Sequence, residues 1–322
     1  MKSIHQPRFD SVDGVAQRLA AVDYIVSREI ATTVYLGFNL EKPILVEGPA
    51  GVGKTELAKA MAQVLDVPLI RLQCYEGLDE SKALYEWKYG KQLLYTQLLK
   101  DKLSEMMAGA VGLAASMERL HAHDDLFFSE KFLEPRPLYQ ALHQERGCVL
   151  LIDEVDKSDP EFEAFLLEVL SDFQVSVPEI GTIAAKVKPI VFLTSNNTRE
   201  MSDALKRRCL HLHIPFPDPA LERRILERRV PGLSLALNRE LVAFIQAVRQ
   251  LELKKQPSVS ETIDWAKTLL LLNAEHLSLD MVRETLNVFL KFERDIAAAT
   301  QQLPGMLRAV HADAEIGSAS HA

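Results

Sequence analysis

Short, continuously apolar runs alternate with longer segments of helical spacing over the first two thirds of the chain. Uninterrupted apolar runs of about four to eight residues, bounded by turn residues, are typical of strands buried on both faces. The runs predicted to be strands are Pro43–Gly48, Pro68–Cys74, Cys148–Glu154, Lys188–Asn196 and Leu210–Pro217. Because helical segments separate these runs, the pattern predicts an α/β fold with a parallel five-stranded sheet between helices.

The pattern changes at residue 219, after which strand signals stop and amphipathic helical segments follow one another. An all-helical second domain is therefore expected. Upstream, Val15–Leu40 also has helical spacing. The predicted organisation is an N-terminal tail (1–14), an α/β domain (15–218) with a helical insertion (about 88–136) and a hairpin (about 174–189), a helical domain (219–305) and a flexible tail (306–322).

Composition and charge narrow the class of protein. The 322 residues carry a formal net charge of -8 and a pI of about 5.7, which argues against a nucleic-acid partner or an anionic membrane surface. Cys74, Cys148 and Cys209 each stand alone in an apolar run, so we expect a reduced, cytoplasmic setting. The first ten residues lack the apolar core of a signal peptide, and the apolar run Met106–Met117 is shorter than the roughly 20 residues of a membrane span.

The segment "GPAGVGKT", Gly48–Thr55, matches the pattern G-x-x-x-x-G-K-[ST] between a predicted strand and a predicted helix. Glycines let such a loop curl so that its N–H groups face phosphate oxygens, and the following helix N-terminus adds partial positive charge. Lys54 is expected to contact the β- and γ-phosphates of ATP, and Thr55 to ligate Mg²⁺. The predicted nucleotide-binding residues are Gly48, Pro49, Ala50, Gly51, Val52, Gly53, Lys54, Thr55 and Glu56.

Two carboxylates end the third predicted strand in "CVLLIDE". Ligands of open parallel sheets bind at this end of the strands, so Asp153 is expected to hold Mg²⁺ through water. Glu154 suits a base that polarises the attacking water, which favours hydrolysis over phosphate transfer to a second substrate. Solvated acids at a strand end are the structural alternative for this pair.

Asn196 follows the fourth predicted strand in "LTSNN" and is expected at the same sheet edge as Asp153. From there it could bond the γ-phosphate or the attacking water, with Thr194 assisting. The alternative is a turn or capping role, which is common for an asparagine after a strand.

Three cations, Lys206, Arg207 and Arg208, precede the last predicted strand of an otherwise acidic chain in "ALKRRCLHL". Beside a nucleotide site, this position suits an arginine finger that reaches across a subunit boundary, and Arg208 or Arg207 is the predicted donor. Alternatively, all three cations are simply exposed at a helix C-terminus, where the helix dipole favours positive charge.

Taken in order, "GPAGVGKT", "LLIDE", "LTSNN" and "ALKRRC", followed by a helical domain, resemble the AAA+ ATPases. The resemblance implies a P-loop AAA+ core and a C-terminal all-helical lid domain. "FLLEVLSDFQVSVPEIGTI" resembles the MoxR group, and "IRLQCYEGLDESKALYEW" is similar to its CoxD-like branch, which is associated with carbon monoxide dehydrogenase maturation.

This resemblance implies a homo-oligomeric ring, usually a hexamer, in which ATP and Mg²⁺ lie between subunits and hydrolysis remodels a metalloenzyme client. It also implies a partner with a von Willebrand factor A domain. By position, Arg208 matches the arginine that precedes the family's last strand, with Arg207 in reserve. Tyr24 and Ile25 fall where the family's N-terminal segment lines the adenine pocket.

One segment departs from the MoxR pattern. Where relatives carry a serine-x-arginine that contacts nucleotide, this chain reads "PSVSETIDW". Ser258 and Glu261 instead have the spacing of a helix capping box. Two other functions remain open: a nucleotide-switched binding module without remodelling, and a DNA-associated motor, which the acidic balance disfavours.

Overall fold

A computed structural model describes residues 9–98, 130–177 and 181–319. Its central feature is a parallel five-stranded sheet, which confirms the predicted α/β fold. The sheet strands are β1 (Ile44–Glu47), β2 (Leu69–Gln73), β5 (Val149–Asp153), β8 (Ile190–Ser195) and β9 (Leu210–His213). Their order across the sheet is β2-β5-β8-β1-β9. Two antiparallel pairs lie outside it: β3 (Tyr85–Trp87) with β4 (Leu133–Pro135), and β6 (Gln174–Val177) with β7 (Gly181–Ala184).

Helices alternate with these strands as far as β9. They are α1 (Val12–Ala21), α2 (Arg28–Asn39), α3 (Lys54–Leu65), α4 (Glu80–Ala83), α5 (Tyr89–Leu98), α6 (Pro137–Leu142), α7 (Pro160–Asp172) and α8 (Asp203–Arg208). Much of the predicted insertion at 88–136, including Met106–Met117, lies outside the described residues.

After β9 the described chain is helical. These helices are α9 (Pro219–Arg229), α10 (Leu235–Arg249), α11 (Val259–Leu271), α12 (Leu279–Phe289) and α13 (Glu293–Ala319). They share a core in which Phe244, Trp265 and Phe289 are packed together and fully buried. Such all-helical packing is what the amphipathic pattern after residue 219 predicts.

The sheet separates two further cores. Successive side chains of a strand point to opposite faces, so Leu45 packs into one core while Ile44 and Val46 pack into the other. Because both faces of the three inner strands β1, β5 and β8 are buried, their sequences are continuously apolar until they reach the carboxyl edge of the sheet.

The N-terminal segment differs from its prediction. Phe9, placed in a tail, is buried against Phe38, and α1 begins at Val12 after the capping side chain of Ser11. The region Val15–Leu40, predicted to have helical spacing, contains two helices, α1 and α2. The chain breaks because Asp23 has a left-handed φ of 63° and Ser27 caps a new helix.

The C-terminal segment also differs from its prediction. The helical region does not end at residue 305, because α13 continues to Ala319. Leu303, Leu307 and Val310 share one face of this helix and are buried in the helical core. Their burial explains why a segment predicted to be a flexible tail is helical.

Candidate nucleotide site

The loop between β1 and α3 contains the glycines of the predicted phosphate-binding motif. Gly48, Gly51 and Gly53 have φ angles of 147°, 75° and 101°, which residues with a Cβ rarely adopt. A Cβ on Gly48 would lie 2.1 Å from the carbonyl oxygen of Ile214, and one on Gly51 would lie 2.5 Å from Oγ of Ser258. The loop therefore requires glycine both for its curl and for its close packing against the chain after β9 and the start of α11.

Lys54 begins α3 and points back over the loop. Its ammonium group donates to the carbonyl oxygens of Gly48 at 2.6 Å and Pro49 at 2.7 Å, and to Oδ1 of Asn196 at 2.8 Å. Burial lowers the pKa of Lys54, and the neighbouring carboxylates partly oppose that shift. The structure thus brings together the predicted phosphate-loop lysine and the predicted strand-end asparagine.

Asp153, at the end of β5, is buried and has donors on both carboxylate oxygens. Oδ1 accepts from Oγ1 of Thr194 at 2.5 Å and from Oγ1 of Thr55 at 3.1 Å. Oδ2 accepts from Nε of Arg71 at 2.9 Å and from its Nη2 at 2.5 Å. The two predicted Mg²⁺-binding residues, Thr55 and Asp153, are therefore in direct contact.

Glu154 leaves the strand in a left-handed conformation, with φ of 56°. Its backbone N–H donates to Oγ1 of Thr194 at 2.9 Å, which fixes the start of the turn. Its Oε1 accepts from the amide of Asn196 at 3.3 Å, and its Oε2 from Gln73 at 2.9 Å and Lys157 at 2.6 Å. The carboxylate thus faces the same space as Asn196, but both of its oxygens are engaged.

Sequence reasoning missed Arg71, Gln73 and Lys157, which contact these two carboxylates. Arg71 and Gln73 are alternate residues of β2 and interrupt an otherwise apolar strand. That interruption was a usable signal for a polar face, although nothing in the sequence pairs β2 with β5. In the sheet Gln73 lies opposite Asp153, which brings both β2 side chains to the site.

An apolar cavity of about 410 Å³ adjoins the loop. Tyr24 and Ile25 line it from the connection between α1 and α2, Phe216 from the chain after β9, and Ile263 from α11. The hydroxyl of Tyr24 donates to the carbonyl oxygen of Gly53 at 3.1 Å. Burial raises the pKa of Tyr24, so this hydroxyl is held as a donor.

A second cavity, of about 260 Å³, lies on the other side of the loop. Ala50 and Glu56 line it together with the polar side chains around Asp153. Val52 faces the apolar cavity, and Gly51, Gly53 and Glu56 border both cavities. The loop therefore divides an apolar space from a polar one, which is the arrangement that a base and its phosphates require.

The residues present fit a Mg²⁺–nucleotide complex. The Thr55 hydroxyl and the Asp153 carboxylate are hard oxygen ligands of the kind that Mg²⁺ prefers. The curled glycine loop leads directly into the N-terminus of α3, whose first N–H groups lack partners within the helix.

Arg207 and Arg208 do not lie at the site of their own chain. In the parallel pair of β1 and β9, Leu210 lies opposite Ile44, so the end of α8 is at the amino edge of the sheet. Gly48 follows β1 at the carboxyl edge. Both arginines are exposed, and neither makes a hydrogen bond or ion pair with any residue that the structure describes.

The start of α11 confirms the predicted capping box. The Ser258 hydroxyl accepts from the N–H of Glu261 at 3.3 Å, and the Glu261 carboxylate accepts from the N–H of Ser258 at 2.8 Å. Ser260 N–H donates to the carbonyl oxygen of Gly51 at 3.3 Å, which ties this helix to the phosphate loop. Glu261 therefore has a structural role in place of a nucleotide sensor.

The described part of the chain contains neither a membrane-spanning helix nor a metal-binding cluster of side chains. Among residues 9–98, 130–177 and 181–319, no helix has the length and apolarity needed to cross a membrane. Within the same ranges, no three histidine, cysteine or acidic side chains are grouped as a metal site would require.

Comparison with known proteins places the chain in a family. The model of the AAA domain (dynein-related subfamily) matches residues 43–209, just over half of the chain. Uncharacterized proteins of Staphylococcus aureus strains, including COL and MW2, are 23% identical over 240 residues, which cover 72% of this chain and 77% of the relatives. Two mutants of Thermotoga maritima RuvB share 17% and 16% identity with TM-scores of 0.46 and 0.45, over 88% of this chain and 73% and 72% of theirs. The chain therefore belongs to the AAA domain family, dynein-related subfamily, of the AAA+ ATPases.

Proposed function

We propose that this protein hydrolyses ATP to ADP and phosphate and uses the reaction to remodel a protein client, as a MoxR-type AAA+ ATPase. The observation that carries the proposal is the convergence of Lys54, Thr55, Asp153, Glu154 and Asn196 around one polar cavity beside the glycine loop. Two of these residues begin α3, two lie at the end of β5 and one follows β8. No structural need of the sheet itself accounts for so many polar side chains at one edge.

In this proposal the loop and α3 bind the phosphates. Lys54 exchanges its carbonyl partners for the β- and γ-phosphates, since a lysine buried beside a curled loop gains most from a charged partner. Thr55 and Asp153 hold Mg²⁺, Asp153 through water. When bound, the ion neutralises negative charge that develops on the phosphates. The base enters the apolar cavity beside Tyr24 and Ile25.

Glu154 is the proposed base. It orients a water molecule toward the γ-phosphate and accepts its proton, while Asn196 holds the same water or the γ-phosphate. In the structure Gln73 and Lys157 occupy one oxygen of Glu154. The other oxygen, Oε1, accepts one bond, from Asn196, and keeps a lone pair for the proton.

A ring completes the site in this proposal. Arg208, with Arg207 in reserve, lies at the amino edge of the sheet and reaches the nucleotide of a neighbouring subunit. Exposed arginines without partners among the described residues are available for such a contact. A hexamer is the assembly that the resemblance implies.

The client and partner are proposed from the resemblance in sequence. The strings similar to the CoxD-like branch support a metalloenzyme client, specifically the active-site assembly of a molybdenum enzyme of the carbon monoxide dehydrogenase type. A protein with a von Willebrand factor A domain is the proposed partner in that task.

A nucleotide-switched binding module is the second candidate. It is favoured by the engagement of both Glu154 oxygens, because a carboxylate held in this way suits slow hydrolysis that only resets a bound state. Partner affinity measured with ATP, ADP and a nonhydrolysable analogue distinguishes the two, since a switch needs only binding and a remodeller needs turnover.

ATP binding and turnover of two variants test the proposal. Glu154→Gln keeps the shape of the side chain and removes the base, so ATP binding persists and turnover is lost. Lys54→Ala weakens binding itself. Glu161→Gln, an exposed acid on α7, is the matched control and behaves as wild type. Undiminished turnover by Glu154→Gln would contradict the mechanism, and normal affinity of Lys54→Ala would contradict the site.

A further inference from the structure

We propose that Arg71 is a built-in counter-ion of Asp153 that Mg²⁺ displaces, so that Arg71 sets the Mg²⁺ concentration at which nucleotide binds tightly. The inference rests on the proposed function and adds a residue that the phosphate-loop and strand-end motifs do not contain. It concerns only the charge balance at Asp153 before and after the metal ion arrives.

The contacts of Asp153 carry the first step. Its side chain is only 4% exposed, and both oxygens are satisfied within the protein. Arg71 supplies two of the donors, both to Oδ2, and is the cation paired with this carboxylate. A water molecule of a hydrated Mg²⁺ ion donates to the same carboxylate, so at least one existing donor gives way.

Arg71 is the donor best able to leave. Thr194 is buried inside β8, and Thr55 is fixed in the first turn of α3. The Arg71 side chain is 50% exposed and lies on β2, at the edge of the sheet. Its Nη2 also donates to Oε1 of Gln73 at 2.5 Å, so the guanidinium keeps a partner after it leaves Asp153.

Electrostatic repulsion also favours the replacement of Arg71 by Mg²⁺ at Asp153. A guanidinium and a divalent cation repel each other when both approach one carboxylate, and the guanidinium can move toward solvent along the wall of the polar cavity, which it lines. Without the ion, Arg71 compensates a buried charge that would otherwise be costly. Arg71 therefore stabilises the metal-free site and competes with Mg²⁺ for it.

The alternative is a purely structural role, in which Arg71 joins β2 to β5. Such a role predicts a change in protein stability without any change in the Mg²⁺ dependence of nucleotide binding. The two roles are thus separated by a binding measurement, which does not depend on turnover.

The experiment adds Mg²⁺ stepwise to the full chain and measures binding of a fluorescent, nonhydrolysable ATP analogue at each Mg²⁺ concentration. The Mg²⁺ midpoint is the Mg²⁺ concentration at which the affinity for the analogue has risen halfway to its maximum. We expect Arg71→Gln to lower this midpoint by about fivefold, the effect of one partly exposed ion pair. Arg71→Lys keeps the charge with fewer matched donors and lies between wild type and Arg71→Gln. Arg283→Gln removes an arginine of similar exposure, paired with Asp280 on α12, and leaves the midpoint unchanged.

The outcomes separate the inference from the proposed function. An unchanged or higher Mg²⁺ midpoint in Arg71→Gln, with wild type binding normally, overturns the role of Arg71 alone. Failure of wild type to bind the analogue at every Mg²⁺ concentration overturns the proposed function and this inference with it. A midpoint shift in Arg283→Gln equal to that in Arg71→Gln shows a general charge effect and also overturns the inference.

Discussion

Asp153 and Glu154 are adjacent in the chain but have different surroundings. Asp153 ends β5 in a buried position, where two hydroxyl groups and a guanidinium hold both oxygens. Glu154 turns out of the sheet in a left-handed conformation, and its side chain is 32% exposed. A fixed, buried carboxylate suits a metal position, whereas a more exposed one is free to exchange partners and accept a proton.

The predictable part of the site is the part whose spacing is restrictive. Lys54 and Thr55 follow a glycine pattern that few other functions require, and Asp153 ends an apolar strand. Arg71 and Gln73 could not be assigned because their role depends on β2 lying beside β5, and the pairing of strands is a property of the folded sheet. The conformation of the loop likewise depends on contacts with the chain after β9 and with α11.

The cysteines give a prediction that does not involve the nucleotide. Burial raises the pKa of Cys74, Cys148 and Cys209 to about 12, with nearby carboxylates adding to the shift at Cys74 and Arg208 opposing it at Cys209. Since a raised pKa keeps the thiol protonated, all three are poor nucleophiles at about pH 8. A thiol reagent should label the native protein slowly. In denaturant it should label all three cysteines. Rapid labelling of the native protein would contradict the burial and protonation of these thiols.

At the scale of elements, periodicity predicted the five sheet strands and the helical character after β9. It failed where burial depends on long-range packing. Phe9 is buried because Phe38 of α2 lies beside it, and Leu307 because α13 returns to the helical core. Leu303, Leu307 and Val310 recur at helical spacing in α13, but small and polar residues follow them. That polar end is why the sequence predicted a flexible tail.

The C-terminal helix supplies a stability prediction. Leu307 is 5% exposed, so Leu307→Ala should lower the free energy of unfolding by about 2–5 kcal/mol through lost burial and a cavity. Leu272→Ala, at a leucine that is 50% exposed, should change it by less than about 0.5 kcal/mol. Urea denaturation measures both. Equal, small effects would show that α13 does not contribute to the helical core.

At the scale of the whole molecule, the proposed site and its proposed arginine lie at opposite edges of one sheet. The glycine loop follows β1 at the carboxyl edge, and Arg208 precedes β9 at the amino edge. Because β1 and β9 are parallel neighbours, no rotation of a side chain brings the two together within one chain. A role for Arg208 in hydrolysis therefore requires a second copy, which links the chemistry to assembly.

If the ATPase site is shared between subunits, turnover per subunit depends on protein concentration. An arginine from a neighbour contributes about 10³ to 10⁵ in rate, so wild-type turnover should rise steeply with assembly and Arg208→Ala should remain low. Lys206→Ala, in the same last turn of α8 and paired with Glu200, is the control and should rise like wild type. Flat turnover, equal in wild type and Arg208→Ala, would contradict a site shared between subunits.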